Sequence, residues 1–176
     1  EYKKLYTDVL IPTKYLMNKI EILIKDKNNI VGLQFRCGDC YMVTNKKEKH
    51  DNKIKDIYEK MINIKNNCDS KYDDYNIFFT TDNIDIVEIA NEVFSFDKVI
   101  YDNSLIQHID RKCIDADISK VFVDNYILSQ KTVDLYITFN SNYGRVAALS
   151  CLHDNIYGIN GSEIDKKKLL SKRDLY

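Results

Sequence analysis

The chain alternates between two spacings of apolar residues, one typical of helices and the other of buried strands. Short apolar runs bounded by polar turns, such as Ile30–Phe35, predict strands. The predicted helices span residues 4–25, 53–64, 84–94, 118–130 and 143–152, and the predicted strands span residues 30–35, 75–80, 98–101, 133–139 and 155–159. This alternation predicts a Rossmann-like three-layer α/β/α fold with a mainly parallel sheet.

Length and composition indicate one folded unit. The 176 residues suit a single domain over residues 1–176, large enough to bury a core but short for two domains. Hydrophobic residues make up 44% and charged residues 30% of the chain, a globular composition. Because the chain begins at Glu1 rather than methionine, we expect it to be part of a longer protein.

The charge balance limits the classes of partner. The 26 basic and 27 acidic side chains leave no broad positive field, which argues against binding nucleic acid or anionic lipid without sequence preference. Charged residues interrupt every apolar run before the roughly 20 residues of a membrane span, so no span is expected in this segment. Any phosphate-binding site must therefore be local.

Five cysteines, an odd number, predict reduced thiols rather than a disulfide framework. Cys37 and Cys40 form a C-x-x-C motif, but no second pair follows at zinc spacing and the three histidines are isolated in the sequence. We therefore expect no bound metal and no cofactor. Cytoplasm and secretory-pathway lumen both remain open as compartments.

Three polar clusters follow predicted strands, where parallel sheets bind their ligands. Arg36 follows the first strand, and its planar guanidinium suits a diphosphate because it bonds oxygens in pairs. Asp102 follows the third strand and could accept two N–H bonds from a guanine edge, whereas adenine presents an acceptor there. After the fourth strand, Asn140 and Ser141 precede the helix predicted from residue 143, whose first N–H groups can bind an anion.

The same clusters resemble motifs of the α-1,2-, α-1,6- and protein O-fucosyltransferases. The segment QFRCGD at residues 34–39 resembles a His-x-Arg-x-x-Asp pattern at a strand end, and YDNS at residues 101–104 is similar to the guanine-binding segment of α-1,6 enzymes. The segments DNYILSQ at 124–130 and TFNSNYGRVA at 138–147 resemble the last motif, in which a helix end precedes a phosphate-binding loop. The segments occur in family order.

This resemblance implies the donor half of a metal-independent GT-B glycosyltransferase, whose donor substrate is the nucleotide sugar GDP-fucose. The enzyme would transfer fucose, with inversion, to a glycan or glycoprotein acceptor. Arg36 would be catalytic, holding the β-phosphate and stabilising the leaving GDP, and Asp102 would read guanine. The other substrate-binding residues would be Gln34, Asn140, Ser141, Asn142 and Tyr143. Asp39 and Asp82 would give structural support, Asp39 by shaping a turn and Asp82 as a helix N-cap.

Two departures from the family keep alternatives open. Gln34 occupies the position of the family's histidine, and Cys37 occupies that of a second arginine in the α-1,6 enzymes. Gln34 can donate a hydrogen bond, but Cys37 cannot replace a cation. The chain could therefore be a catalytically inactive nucleotide or nucleotide-sugar module. It could also be an α/β interaction domain without a nucleotide, because this architecture hosts many functions.

Overall fold

The computed structural model describes residue 8 and residues 11–37, 47–104 and 119–171. Helices and strands alternate through these ranges, which confirms the predicted order as far as the fifth strand; the short helix that follows it was not predicted. In chain order the elements are α1 (Lys14–Ile24), β1 (Ile30–Phe35), α2 (Lys47–Lys71), β2 (Asn76–Thr81), α3 (Asp85–Phe94), β3 (Val99–Ile100), α4 (Ser119–Gln130), β4 (Asp134–Ile137), α5 (Asn142–Ser150), β5 (Ile156–Gly158) and α6 (Lys166–Ser171).

The strands form one parallel sheet in the order β3-β2-β1-β4-β5. The chain runs outward from β1 through β2 to β3, then returns to the other side of β1 for β4 and β5. The direction of strand order therefore reverses between β1 and β4. In open α/β sheets, ligands bind outside the carboxyl ends of the strands at such a switch point. The predicted Rossmann-like three-layer fold is confirmed.

Helices cover both faces of the sheet, which explains why the strands are almost continuously apolar. On one face, side chains of β1 and β2 pack against α2 and α3, and this cluster includes Val31, Leu33, Phe35, Ile57, Met61 and Ala90. On the other face, β4 packs against α1, α4, α5 and α6, and this cluster includes Ile20, Ile127, Leu135, Ile137, Ala147 and Leu169. The core is thus divided by the sheet into two layers.

Helix α2 is longer than the predicted helix at residues 53–64, since it spans 25 residues. Its additional turns are polar, so the apolar spacing could not detect them. Ion pairs four residues apart support this polar surface, with Lys60 Nζ 2.6 Å from Asp56 Oδ2 and Lys65 Nζ 2.5 Å from Asp69 Oδ2. No helix in the described part of the chain has both the length and the apolar content required to cross a membrane.

The described cysteines are buried free thiols. Cys37, Cys68 and Cys151 have no disulfide partner. Burial raises the pKa of Cys68 to about 12, with the nearby charge of Asp134 acting in the same direction. This thiol is therefore neutral at physiological pH and behaves as a small apolar side chain. Cys40 and Cys113 lie outside the described residues.

Gly32 allows α4 and the turn after it to lie directly against β1. A Cβ atom at this position would lie 2.8 Å from Cγ2 of Thr132 and 3.0 Å from Cδ2 of Leu128. Cβ atoms essentially never lie within 3.0 Å of another heavy atom, so a larger residue must displace the side chains of Thr132 and of Leu135, whose Cδ1 would lie 2.9 Å away, and Leu128 must shift slightly. Glycine at this point of β1 therefore fixes how near α4 lies to the sheet.

We predict that Gly32→Ala lowers the free energy of unfolding by about 1–3 kcal/mol, because the added methyl overpacks this contact. Urea denaturation of the variant and the wild type measures the loss. Leu128→Ala is the companion variant, since it removes one of the crowding side chains. The double variant should lose less than the sum of the single losses, and strict additivity would contradict the close packing.

Candidate functional site

Direct hydrogen bonds join the carboxyl ends of β1 and β4 at the switch point. The backbone N–H of Arg36 donates to Oγ1 of Thr138 at 2.9 Å. The N–H of Thr138 in turn donates to the carbonyl of Gln34 at 3.1 Å. These bonds fix the backbone of Arg36 at the edge of the sheet where a ligand is expected.

The side chain of Arg36 is half-exposed and held on one side by an ion pair. Its Nε lies 3.1 Å from Oδ2 of Asp82, and the two side chains are 40% and 9% exposed, respectively. The other carboxylate oxygen, Oδ1, accepts the backbone N–H of Cys37 at 2.7 Å. A guanidinium carries five N–H donors, and Asp82 pairs with Nε, so within the described part of the chain most of these donors have capacity for an anion.

The prediction that Asp82 is a helix N-cap was wrong. Helix α3 begins at Asp85, and the residue before it, Ile84, makes no side-chain cap bond. The chain first makes a turn in which the N–H of Asn83 donates to Oγ1 of Thr81 at 3.1 Å. Asp82 therefore precedes the helix, and its carboxylate supports the end of β1 instead. Asp39 lies outside the described residues, so its supporting role stays a prediction.

The loop after β4 forms the opposite side of the switch point. Ser141 is buried and caps α5, with its Oγ accepting the N–H of Gly144 at 3.2 Å. Its neighbours Asn140 and Asn142 are exposed. The first N–H groups of a helix have no partner within the helix, so this loop can bind an anion through its backbone.

Gln34 is 3% exposed and fills the space between β1 and α5. Its Oε1 lies 3.2 Å from the backbone N of Thr138, which donates to it. A Cβ atom on Gly144 would lie only 2.5 Å from this oxygen. Gln34 therefore positions α5 by packing against a glycine, whether or not it also contacts a ligand.

Tyr143 is turned toward α4. Its hydroxyl donates to the backbone carbonyl of Val121 at 3.0 Å, and its ring packs on the core layer formed by α4 and α5. The next charged residue, Arg145, donates to the backbone carbonyl of Leu169 in α6. Both side chains thus tie α5 to neighbouring helices.

Asp102 follows β3 and is already engaged by its own turn. Its Oδ1 accepts the N–H of Ser104 at 2.9 Å and the hydroxyl of Ser104 at 2.5 Å. Burial opposes its ionisation, but these bonds and the charge of Lys120 outweigh burial and hold the pKa of Asp102 below its ordinary value. Asp102 is therefore a carboxylate at neutral pH. Its Oδ1 already accepts two hydrogen bonds from Ser104, and Oδ2 lies 3.8 Å from Nζ of Lys120, so a guanine donor would have to share Oδ2 with Lys120.

A buried cluster on α4 supports this strand end. Lys120 Nζ donates to the backbone carbonyl of Asp102 at 3.0 Å and lies 2.9 Å from Oδ2 of Asp124. The side chains of Lys120 and Asp124 are 9% and 6% exposed. Burial raises the pKa of Asp124 to about 6, although Lys120 acts in the opposite direction.

No role was predicted for this pair from the sequence. Lys120 and Asp124 are four residues apart, a spacing that places them on one helix face. Ile127 and Leu128 continue that face and are fully buried. The cluster could have been identified from the sequence, because Lys120 and Asp124 share the helical spacing of the apolar residues Ile127 and Leu128.

The proposed ligand-binding residues lie along one edge of the sheet but not at one point. Arg36 and the loop at residues 138–144 follow adjacent strands, β1 and β4. Asp102 follows β3, which is separated from β1 by β2, so about 10 Å divides the two strands within the sheet. The arrangement suits the two ends of an extended ligand rather than a small ion.

The fold defines a Rossmann-like α/β protein, and the comparisons with known proteins do not narrow that class. No protein-family model matches the chain, and no curated protein matches its sequence. Within residues 11–37, 47–104 and 119–171, no group of three or more His, Cys, Asp or Glu side chains could hold a metal. The fucosyltransferase resemblance therefore stays a prediction from the sequence motifs.

We predict that the Asp124 carboxyl group titrates with a midpoint near pH 6, well above its ordinary value of 3.8. Because the folded pKa is raised, Asp124 should reduce the free energy of unfolding progressively as pH rises from about 4 to about 6. Carbon-13 NMR of the carboxyl group measures the midpoint. Asp124→Asn should remove this part of the pH dependence of stability, and a midpoint below pH 4 would contradict the assignment.

Proposed function

We propose that this chain is the donor-nucleotide domain of a fucosyltransferase-like GT-B enzyme. It would bind GDP-fucose and transfer the sugar, with inversion, to a glycan or glycoprotein acceptor. The observation that carries the proposal is the half-exposed guanidinium of Arg36 at the switch point, opposite the N-terminus of α5. Diphosphates bind at such edges because helix N–H groups and an arginine fork both complement their oxygens.

Arg36 would act on the leaving group. When the acceptor hydroxyl attacks the anomeric carbon, the bond from that carbon to the β-phosphate oxygen breaks and negative charge develops on GDP. A cation and backbone donors that are already in place stabilise this charge without reorganising. The acceptor's proton passes to a general base, which the motif resemblance does not identify.

Asp102 would recognise the base of the nucleotide. Its carboxylate lies at the same edge of the sheet as Arg36, two strands away. Guanine presents two N–H donors on one edge, whereas adenine presents an acceptor in one of these positions. An ionised Asp102 therefore favours GDP over ADP.

A second candidate function is nucleotide or nucleotide-sugar binding without transfer. Both residues that depart from the family motif, Gln34 and Cys37, are buried. Gln34 is hydrogen-bonded to Thr138. Burial and the nearby charge of Asp82 raise the pKa of the Cys37 thiol to about 12, so it carries no charge at neutral pH. At these two positions the donor diphosphate would lack the histidine and the second arginine of the family, and Arg36 would remain as the cation that binds it. Release of GDP from GDP-fucose in the presence of acceptor glycans separates an enzyme from a binding module.

We predict that GDP and GDP-fucose bind the domain and that ADP does not, as measured by isothermal titration calorimetry. Arg36→Ala should weaken GDP binding roughly 100-fold, because a charged bidentate contact to phosphate is lost. Asp102→Ala should reduce the preference for GDP over ADP. The two effects differ because the diphosphate would bind at Arg36, after β1, and the guanine base at Asp102, after β3.

Lys131→Ala is the matched control for these titrations. Lys131 is an exposed cation that follows the C-terminus of α4, whereas the N-terminus of α4 lies near Asp102. It should bind GDP as the wild type does. If neither GDP nor GDP-fucose binds at millimolar concentration, the donor-domain proposal fails and an α/β interaction domain becomes the better interpretation. Equal binding of GDP and ADP would reject the role of Asp102.

A further inference from the structure

Asp82 contacts two consecutive residues at the end of β1 with its two carboxylate oxygens. Oδ2 pairs with Nε of Arg36, and Oδ1 accepts the backbone N–H of Cys37. The carboxylate is therefore anchored on the main chain while it holds the guanidinium. This is a more constrained arrangement than a surface ion pair, in which both side chains move freely.

Strands on both sides of β1 contribute to this arrangement. From β4, Oγ1 of Thr138 fixes the backbone N–H of Arg36, and from β2, Asp82 fixes the side chain. The parallel register places Phe35 beside Thr81, so Arg36 and Asp82 leave neighbouring strands at the same level. The pairing is thus a consequence of the sheet's register.

We propose that Asp82 is a positioning residue that orients the Arg36 guanidinium for binding a diphosphate, an inference that rests on the proposed function. The Asp82 carboxylate pairs with Nε of Arg36 and is itself bonded to the main chain. It therefore fixes the direction in which the other N–H donors of the guanidinium point. A donor held in place before the ligand arrives loses less freedom on binding. Asp82 itself would not touch the ligand.

The test is a double-mutant cycle of Asp82→Asn and Arg36→Gln, with GDP and inorganic pyrophosphate as the probes. The carboxamide oxygen of Asn can still accept the Cys37 N–H, but its NH2 group cannot accept from Arg36 Nε. Arg36→Gln removes the charge but keeps an NH2 donor. The variant should therefore retain weak binding, which NMR titration can measure. We expect Asp82→Asn to weaken binding of both probes roughly tenfold in the wild-type background and not at all in the Arg36→Gln background.

A second readout follows Arg36 directly. The Nε–H order parameter of Arg36, measured by NMR without ligand, should fall in Asp82→Asn because the fixed partner is lost. Asp85→Asn is the matched control, since Asp85 is an exposed carboxylate three residues away in the first turn of α3. It should change neither the order parameter nor the affinity, and thermal unfolding should show each variant folded.

The outcomes separate this inference from the proposed function. If Asp82→Asn binds both probes like Asp85→Asn while Arg36→Gln loses affinity, the donor site stands and the role of Asp82 is rejected. An equal loss in both backgrounds would also reject it, because Asp82 would then act independently of Arg36. If the wild type binds neither probe, the proposed function and the role of Asp82 fail together.

Discussion

The hydrogen bonds that join the ends of β1 and β4 are the constraint on which the candidate site depends. Strand order reverses between these strands, so the segments leaving them go to opposite faces of the sheet and a crevice can open. The bond from the Arg36 N–H to Thr138 Oγ1 holds the two ends together at that point. Together with the bond from the Thr138 N–H to the Gln34 carbonyl, it fixes the backbone of Arg36 relative to the segment that begins α5, and a diphosphate requires such a fixed separation.

Two glycines allow the helices to approach this junction closely. Gly32 admits α4 to the surface of β1, and Gly144 admits the first turn of α5 to the side chain of Gln34. Because Gln34 also accepts the N–H of Thr138, one buried amide links β1, β4 and α5. Gly144 and Gln34 therefore depend on each other for packing, although they lie far apart in sequence.

Much of the fold could be predicted because its strands are apolar on both faces, and β1 was predicted with its observed bounds. The polar ends of α2 could not be predicted, because they lack apolar spacing; the Lys65–Asp69 ion pair lies in one of them. Arg36 and Asp102 were identified from their positions after strands, but their partners were not. Asp82 pairs with a residue 46 positions earlier, and only the register of β1 and β2 brings the two together.

The charged side chains that the structure describes at this edge of the sheet are largely paired with one another before any ligand binds. Asp82 is paired with Arg36, and Asp102 is bonded by Ser104 and lies near Lys120, which is itself paired with Asp124. With a chain net charge of −1, long-range attraction of an anion is weak. Affinity for a diphosphate would therefore have to come from geometry, through donors fixed at the correct spacing by the sheet. Such a site distinguishes ligands by shape more than by charge.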